Sequence, residues 1–143
     1  IAHYEAQMKA SMKRLRAGVA ASATSLTDIR GIGVVTAALI IGHTGDVSRF
    51  ASAGHFASYN ATAPIEASSG RAPPSSARGN RQLNYAIHIA AITQLRYPCA
   101  GREYYDRRCA EGKNSKEAIR ALKRHVSNSV YRALVADAHR IHG

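Results

Sequence analysis

Two short stretches of this sequence carry residue types able to act on a phosphate group. The first is Ser68-Ser69-Gly70, set in a run from Ala61 to Gly79 that holds three of the four prolines, with Arg71, Arg78 and Arg81 in or beside it. Glycine next to a hydroxyl lets the backbone swing that hydroxyl in line with phosphorus, and guanidinium groups steady the negative charge that develops there. The same run also reads as a serine-rich linker, because no GxSxG elbow, partner base or Ser/His/Asp triad accompanies it. The second stretch is Ile29-Arg30-Gly31-Ile32-Gly33, followed by Thr36-Ala37. Glycines one residue apart permit positive φ and a close backbone approach, and a helix start after them turns N–H groups outward, a nest for one phosphate oxygen at a time. A plain tight turn between helices has the same Gly-x-Gly pattern.

The charge of the chain agrees with an anionic partner. Twenty Lys and Arg stand against nine Asp and Glu, for a net charge of +11. The surplus is uneven: residues 1–70 hold six basic against four acidic side chains, and residues 71–143 hold fourteen against five. Such a surplus supplies the sequence-independent attraction that nucleic-acid binding needs, through neutralised phosphates and released counterions. A solubilising surface or an acidic protein partner are the plainer alternatives. Metal chemistry is not expected from these residues, since Cys99 and Cys109 form no CxxC pair and the seven histidines have no HExxH spacing. With no long apolar run, the expected setting is cytoplasmic, without a membrane.

The elements that would position these stretches are helical. Trp is absent, aromatics are 6% of the chain, and alanine dominates the apolar positions, a composition that suits closely packed helices better than strands. At 143 residues and 45% hydrophobic, one compact all-α domain with an arm is the natural size. Ile1, Tyr4, Met8, Met12, Leu15 and Val19 draw one stripe down an amphipathic helix over 1–23, an arm suited to packing on another helix or a second copy. Ser25 to Asp28 fits a capping box opening a short helix; Val34 to Ile41 is a second, largely buried one. Residues about 25–45 thus read as helix, glycine hairpin, helix, ahead of a loop over 61–79. Phe50, Phe56 and Tyr59 anchor a short helix to the core between them. Asn80 to Leu95 is apolar nearly all round over its middle, as expected of a central helix. Pro98 and Gly101 break the chain before a polar helix from about Arg102 to Glu111. Asn114 with Glu117 caps a last helix, whose buried stripe of Ile119, Leu122, Val126, Val130, Ala133 and Leu134 is flanked by the basic residues Lys116, Arg120, Lys123 and Arg124.

The glycine hairpin resembles the helix-hairpin-helix element of non-specific DNA-binding proteins. A wider, ordered set of motifs resembles the C-terminal domain of the IS110 family of insertion-sequence transposases, grouped with the IS116 and IS902 elements. The set comprises Ile29 to Gly33 with Thr36-Ala37, Gly45-Asp46-Val47-Ser48-Arg49-Phe50, Phe56-Ala57-Ser58-Tyr59, Ala63 to Gly70, Arg78-Gly79-Asn80-Arg81-Gln82-Leu83-Asn84, Tyr104-Tyr105, and Glu111-Gly112-Lys113 with Lys116-Glu117-Ala118. The resemblance implies a recombinase of two parts: a RuvC-like domain with acidic metal ligands, and a C-terminal domain with a nucleophilic serine. The Ser-Gly step places that nucleophile at Ser69, with Ser68 as the neighbouring alternative. It further implies DNA strand cleavage and exchange, a transient covalent link to DNA, a structured guide RNA, Mg2+ held by the RuvC-like part, and a location on the nucleoid. The 143 residues contain no RuvC-like pattern, so the chain by itself is expected to be catalytically silent.

Two readings of function follow. In one, Ser69 attacks DNA, Arg71, Arg78 and Arg81 flank the phosphate, and Gly31, Gly33 and Thr36 grip the backbone together with Asn80, Lys116, Arg120, Lys123 and Arg124. In the other, the chain is a non-enzymatic helix-hairpin-helix module that binds nucleic acid, and the serine stretch is a linker.

Overall fold

The computed structural model describes residues 1–64 and 79–142. Among them are six α-helices and no strand: α1 (Ala2–Ala21), α2 (Val34–Thr44), α3 (Ala53–Tyr59), α4 (Arg81–Gln94), α5 (Ala100–Ala110) and α6 (Ser115–His142). Single turns of 3-10 helix at Leu26–Asp28 and Val47–Arg49 precede α2 and α3. The expected all-α bundle with a leading helical arm is the architecture observed.

Helix α4 is the axis of the core. Leu83, Ala86, Ile87, Ala90 and Ala91 on it are buried, and its alanines let α2, with buried Ala37 and Ile40, lie close along one side. Helix α6 covers another side through Leu122, Val126 and Val130, and also packs on α3 and α5. Phe56 from α3 fills the space between them, edge-on to Phe50 with ring centres 5.2 Å apart. The arm α1 rests on α2. Its stripe is buried only at the far end: Val19 is buried, Met12 and Leu15 are half-buried, and Ile1, Tyr4 and Met8 are exposed.

Local capping sets several boundaries. Ser52 Oγ accepts from His55 N at 3.1 Å, and Asn80 Oδ1 accepts from Leu83 N at 3.0 Å. Asn114 and Glu117 cap α6 reciprocally, at 2.9 and 3.0 Å. The box expected at Ser25 does not form. Its side chain makes no cap bond, and the segment behind it is one 3-10 turn rather than an α-helix. The carboxylate of Asp137 on α6 takes over, accepting from Ser25 N at 2.9 Å and Thr24 Oγ1 at 3.3 Å, while Thr24 Oγ1 accepts from Leu26 N at 3.1 Å. Gly101 is likewise no breaker. It sits buried in the first turn of α5, where a Cβ would meet Gln94 Oε1 at 1.8 Å, so its missing side chain leaves room for the Gln94 amide.

Candidate nucleic-acid interface

The glycine hairpin has two unlike glycines. Gly31 has φ of +90°, and a Cβ there would stand 2.6 Å from the carbonyl oxygen of Ala90, so both conformation and packing demand glycine. The neighbouring Arg30 carbonyl is held by Gln94 Nε2 at 3.0 Å. Gly33 has φ of −96° and nothing within 4 Å of a Cβ. Neither strain nor crowding explains it, but it leaves the start of α2 uncovered. The first helical bond runs from Ala37 N to Gly33 O at 2.9 Å, so the N–H groups of Val34, Val35 and Thr36 precede the helical ladder. Gly33 and Val35 are exposed and Thr36 is half-buried. Arg30 lies over the exposed Tyr97 ring, 4.9 Å from its centre.

The far end of α2 meets the near end of α4. His43 Nδ1 lies 3.4 Å from Asn80 Nδ2, whereas the hairpin before α2 touches Ala90 and Gln94 late in α4. The two helices are therefore antiparallel, and ten residues of α4 separate the two contact regions by about 15 Å.

Around Asn80 the residues that flank 65–78 are fastened together. Ala61 and Gly79 both have positive φ, 64° and 43°, and a Cβ on Gly79 would lie 2.8 Å from Tyr59 O. Asn80 N donates to Tyr59 O at 2.6 Å. Asn84 Nδ2 donates to Asn60 O at 2.9 Å, and Lys123 Nζ donates to Asn84 Oδ1 at 3.1 Å. Buried Asn60 bonds Ser127 Oγ through Nδ2 at 3.0 Å and accepts from Thr62 Oγ1 at 2.6 Å through Oδ1. The catalytic expectations, Ser69 and Ser68, and the flanking Arg71 and Arg78, lie outside the described residues.

The basic stripe divides. Lys116 and Arg120 are exposed. Lys123 turns inward to Asn84, and burial holds its ammonium below the usual lysine range. Arg124 Nε is committed to Asn128 Oδ1 at 3.0 Å. Arg81, one residue beyond Asn80, is exposed. The ion pairs among the described residues are Arg102–Asp106, Arg108–Glu111 and Arg140–Asp137, so Arg81, Lys116, Arg120, Lys123 and Arg124 have no described carboxylate partner. No three His, Cys, Asp or Glu residues among those described are gathered to hold a metal.

Three side chains beside Asn80 carry more chemistry than their sequence suggested. Arg49 Nε donates to Thr44 O at 2.9 Å, capping α2, while its guanidinium carbon stands 4.6 Å from the ring centres of both Phe50 and Tyr59. The Tyr59 hydroxyl is 3.5 Å from Asn80 Nδ2. Hydrogen bonding from Arg49, then from Asn80, holds the phenol below its ordinary range. Tyr59 was expected only as a core anchor, and His43 and Arg49 had no expected role. Their convergence needs α2, the second 3-10 turn, α3 and α4 together; the sole trace in the sequence is the presence of Arg49 and Tyr59 in the resembling motifs.

An all-helical chain that exposes Arg81, Lys116 and Arg120 without a described carboxylate partner, and the uncovered start of α2 behind Gly33, is the class these features define. Residues 23–106 match the Transposase IS116/IS110/IS902 family. The chain is 40% identical over 105 residues to the insertion element IS110 uncharacterized 43.6 kDa protein of Streptomyces coelicolor, an overlap of 69% of this chain and 25% of that protein. It is 34% identical over 108 residues to the insertion element IS900 uncharacterized 42 kDa protein of Mycobacterium paratuberculosis, covering 73% of this chain and 27% of the relative. With the insertion element IS116 uncharacterized 44.8 kDa protein of Streptomyces clavuligerus, identity is 32% over 97 residues, 66% of this chain and 24% of the relative. The chain belongs to the IS116/IS110/IS902 family of insertion-sequence transposases. It spans about a quarter of the length of these relatives. No helix among the described residues is long and apolar enough to cross a membrane.

Proposed function

We propose that this chain is the DNA-contacting, serine-bearing C-terminal domain of a transposase that moves an insertion sequence by strand cleavage and exchange. Ser69 is the nucleophile, with Ser68 the alternative. Its oxygen bonds to phosphorus as the hydroxyl proton leaves, and the bond from phosphorus to the departing sugar oxygen breaks, that oxygen taking up a proton. One phosphodiester is exchanged for another with no net oxidation or reduction. Arg71, Arg78 and Arg81 steady the charge on the non-bridging oxygens. Gly31, Gly33 and Thr36 hold a neighbouring phosphate through the uncovered start of α2, and Asn80, Lys116, Arg120 and Arg124 extend the contact, with Lys123, held inward by Asn84, set back from it.

The observation that carries this reading is the uncompensated positive charge. On α6, Lys116, Arg120 and Arg124 repeat at four-residue spacing, a like-charge pattern that weakens a helix by a few tenths of a kcal/mol per pair. No described carboxylate relieves it. An anionic partner does. The start of α2 and the Asn80 region, about 15 Å apart along α4, span roughly four steps of a DNA strand, consistent with several phosphates of one duplex.

The described residues do not gather a metal site. The Mg2+ of this reaction is assigned to a RuvC-like domain, where it would activate the attacking oxygen and stabilise the leaving one; this chain alone is then inactive. A structured RNA, assembly of copies through α1 and a cytoplasmic, nucleoid-associated location complete the proposal.

The test is Ser69→Ala in the full-length transposase. Strand exchange and the protein–DNA adduct are expected to vanish while DNA affinity stays within a few fold. Exchange at the wild-type rate by both Ser69→Ala and Ser68→Ala removes the serine stretch from the chemistry, and leaves the non-enzymatic binding module as the reading that the charge pattern supports.

A further inference from the structure

We propose that Arg49, Tyr59 and Asn80 form a phosphodiester-binding subsite where α2, α3 and α4 meet, with the Tyr59 hydroxyl donating to a non-bridging phosphate oxygen and Arg49 supplying the charge. The inference rests on the reading of this chain as a nucleic-acid-contacting domain and names residues that act in it.

The direction of each hydrogen bond is fixed by its neighbours. Asn80 Oδ1 is occupied by Leu83 N at 3.0 Å, so the group facing Tyr59 and His43 is the Nδ2 donor and the amide cannot be reversed. His43 Nδ1, 3.4 Å away, is then the acceptor, and its ring proton sits on Nε2. The Tyr59 oxygen therefore receives hydrogen from Asn80 at 3.5 Å, while the Arg49 guanidinium lies over the ring face, 4.6 Å from its centre. A phenol that accepts in this way keeps its own hydrogen for a different partner, and no described residue accepts it.

The chemistry of the set selects an anion. It contains one fixed positive charge, a phenol hydrogen with no described acceptor, and no described carboxylate. The nearest acidic residue in sequence, Asp46, is turned to Ser48, accepting from its N at 2.9 Å and its Oγ at 2.8 Å. Arg49 is exposed, and Tyr59, Asn80 and His43 are half-buried, so the subsite opens on the surface rather than enclosing a small ion. Arg81 is exposed one residue along the chain from Asn80. The fold itself has little use for the Tyr59 hydroxyl: the ring packs on Phe50 with centres 5.2 Å apart, a contact that phenylalanine also makes. Contacts of 3.4–3.5 Å around Asn80 are long for hydrogen bonds, leaving room to tighten around a bound oxygen.

The experiment measures binding of the 143-residue chain to a fluorescein-labelled DNA duplex and to an RNA duplex of matching sequence, by anisotropy across a salt series. Tyr59→Phe is expected to weaken binding about tenfold with its melting temperature unchanged. Arg49→Gln is expected to lower the salt slope by about one phosphate contact. A second readout separates a bound hydroxyl from a structural one. Among the described residues, the charged or titratable groups facing Tyr59 are Arg49 and, through Asn80, His43, and the phenol ionises below its ordinary 10.0. As pH rises through that point the wild-type loses a donor and gains a negative charge beside the phosphate, so its affinity falls; in Tyr59→Phe this component is missing. A loss confined to DNA assigns the phosphate to DNA, and one confined to RNA assigns it to RNA; either supports the subsite. A wild-type chain that binds with a steep salt dependence, while both variants bind equally well at every pH, overturns the subsite and leaves the wider function standing. Absence of salt-dependent binding by the wild-type overturns both.

Discussion

Replacing Gly31 by alanine puts a methyl group 2.6 Å from Ala90 O and 3.0 Å from Ala90 Cα, both backbone atoms of the central helix, at a residue whose φ is +90°. Two penalties add. A non-glycine residue held at such a φ costs about 1–3 kcal/mol, and forcing an extra carbon into a packed contact costs about 1–3 kcal/mol more. The expected loss is about 2–6 kcal/mol, a large fraction of the roughly 5–15 kcal/mol that holds a domain folded. Gly33→Ala is the matched control. At φ of −96° with nothing within 4 Å, alanine gains about 0.4–1 kcal/mol by restricting the unfolded chain and loses about as much as a poorer helix cap, for a change near zero. Urea denaturation followed by circular dichroism at 222 nm, a standard helix signal, gives both numbers. Equal midpoints for Gly31→Ala and Gly33→Ala would refute the claim that Gly31 is kept for its contact with α4. DNA affinity then separates the two positions again, because Gly33→Ala should weaken binding by crowding the uncovered amides of α2 while leaving the fold intact.

Asp137→Asn should cost about 1–3 kcal/mol, because the half-buried Ser25 N–H and Thr24 hydroxyl lose a charged acceptor; a urea midpoint equal to wild-type would refute it. Burial raises the Asp137 pKa, but hydrogen bonds from Ser25 and the charge of Arg140 outweigh it and leave the carboxyl below its ordinary 3.8. The stability it adds is therefore present above the unfolded value and is lost as pH falls through the depressed one. Wild-type should lose its advantage over Asp137→Asn only in that acid window, and a constant difference at all pH values would contradict the assignment. Leu122→Ala, at 0% exposure in the core, should cost about 2–5 kcal/mol, read from the same denaturation curves. Lys116→Gln and Arg120→Gln should each lower the salt slope of DNA binding by about one contact. Lys123→Gln should lower it less, since its ammonium is already committed to Asn84 at 3.1 Å; an equal effect would show Lys123 facing DNA.

What the sequence made legible was local. The start of α6 was readable because Asn114 and Glu117 satisfy each other three residues apart, and α4 because its apolar residues surround the helix. Ser25 to Asp28 has the same local pattern, but the Ser25 amide is taken by a carboxylate 112 residues away in sequence, and no pattern within the segment reveals that competitor. Gly101 misled for a related reason. Its missing Cβ answers to Gln94 on the preceding helix, a packing contact that reads in sequence as a break. The basic stripe on α6 is exposed at Lys116 and Arg120 but not at Lys123: periodicity puts Lys123 beside Arg120, while only the position of Asn84 turns it inward. Tyr59 and Arg49 could be seen as motif residues, but their joint chemistry depends on four elements meeting at Asn80.

The antiparallel pair α2 and α4 gives these separate features a common mechanical basis. At one end Gly31 is pressed against Ala90, and Gln94 holds the Arg30 carbonyl. At the other, His43 faces Asn80, which is bonded to the backbone of Tyr59. Between them α4 presents alanine at 86, 90 and 91, all buried, so the separation of the helices is set by backbone contact rather than by adjustable long side chains. A rigid spacing of about 15 Å between the hairpin and the Asn80 region follows. Ala86→Leu should therefore disturb both ends at once: the added volume pushes α2 away, loosening Gly31 from Ala90 and His43 from Asn80 in the same step. If the hairpin and the Asn80 region bind phosphates of one strand, that variant should lose more DNA affinity than Gly33→Ala and Tyr59→Phe do separately, despite touching no phosphate itself. Measured affinity equal to wild-type in a variant whose core is shown by near-ultraviolet circular dichroism to have repacked would mean that the two regions contact DNA independently.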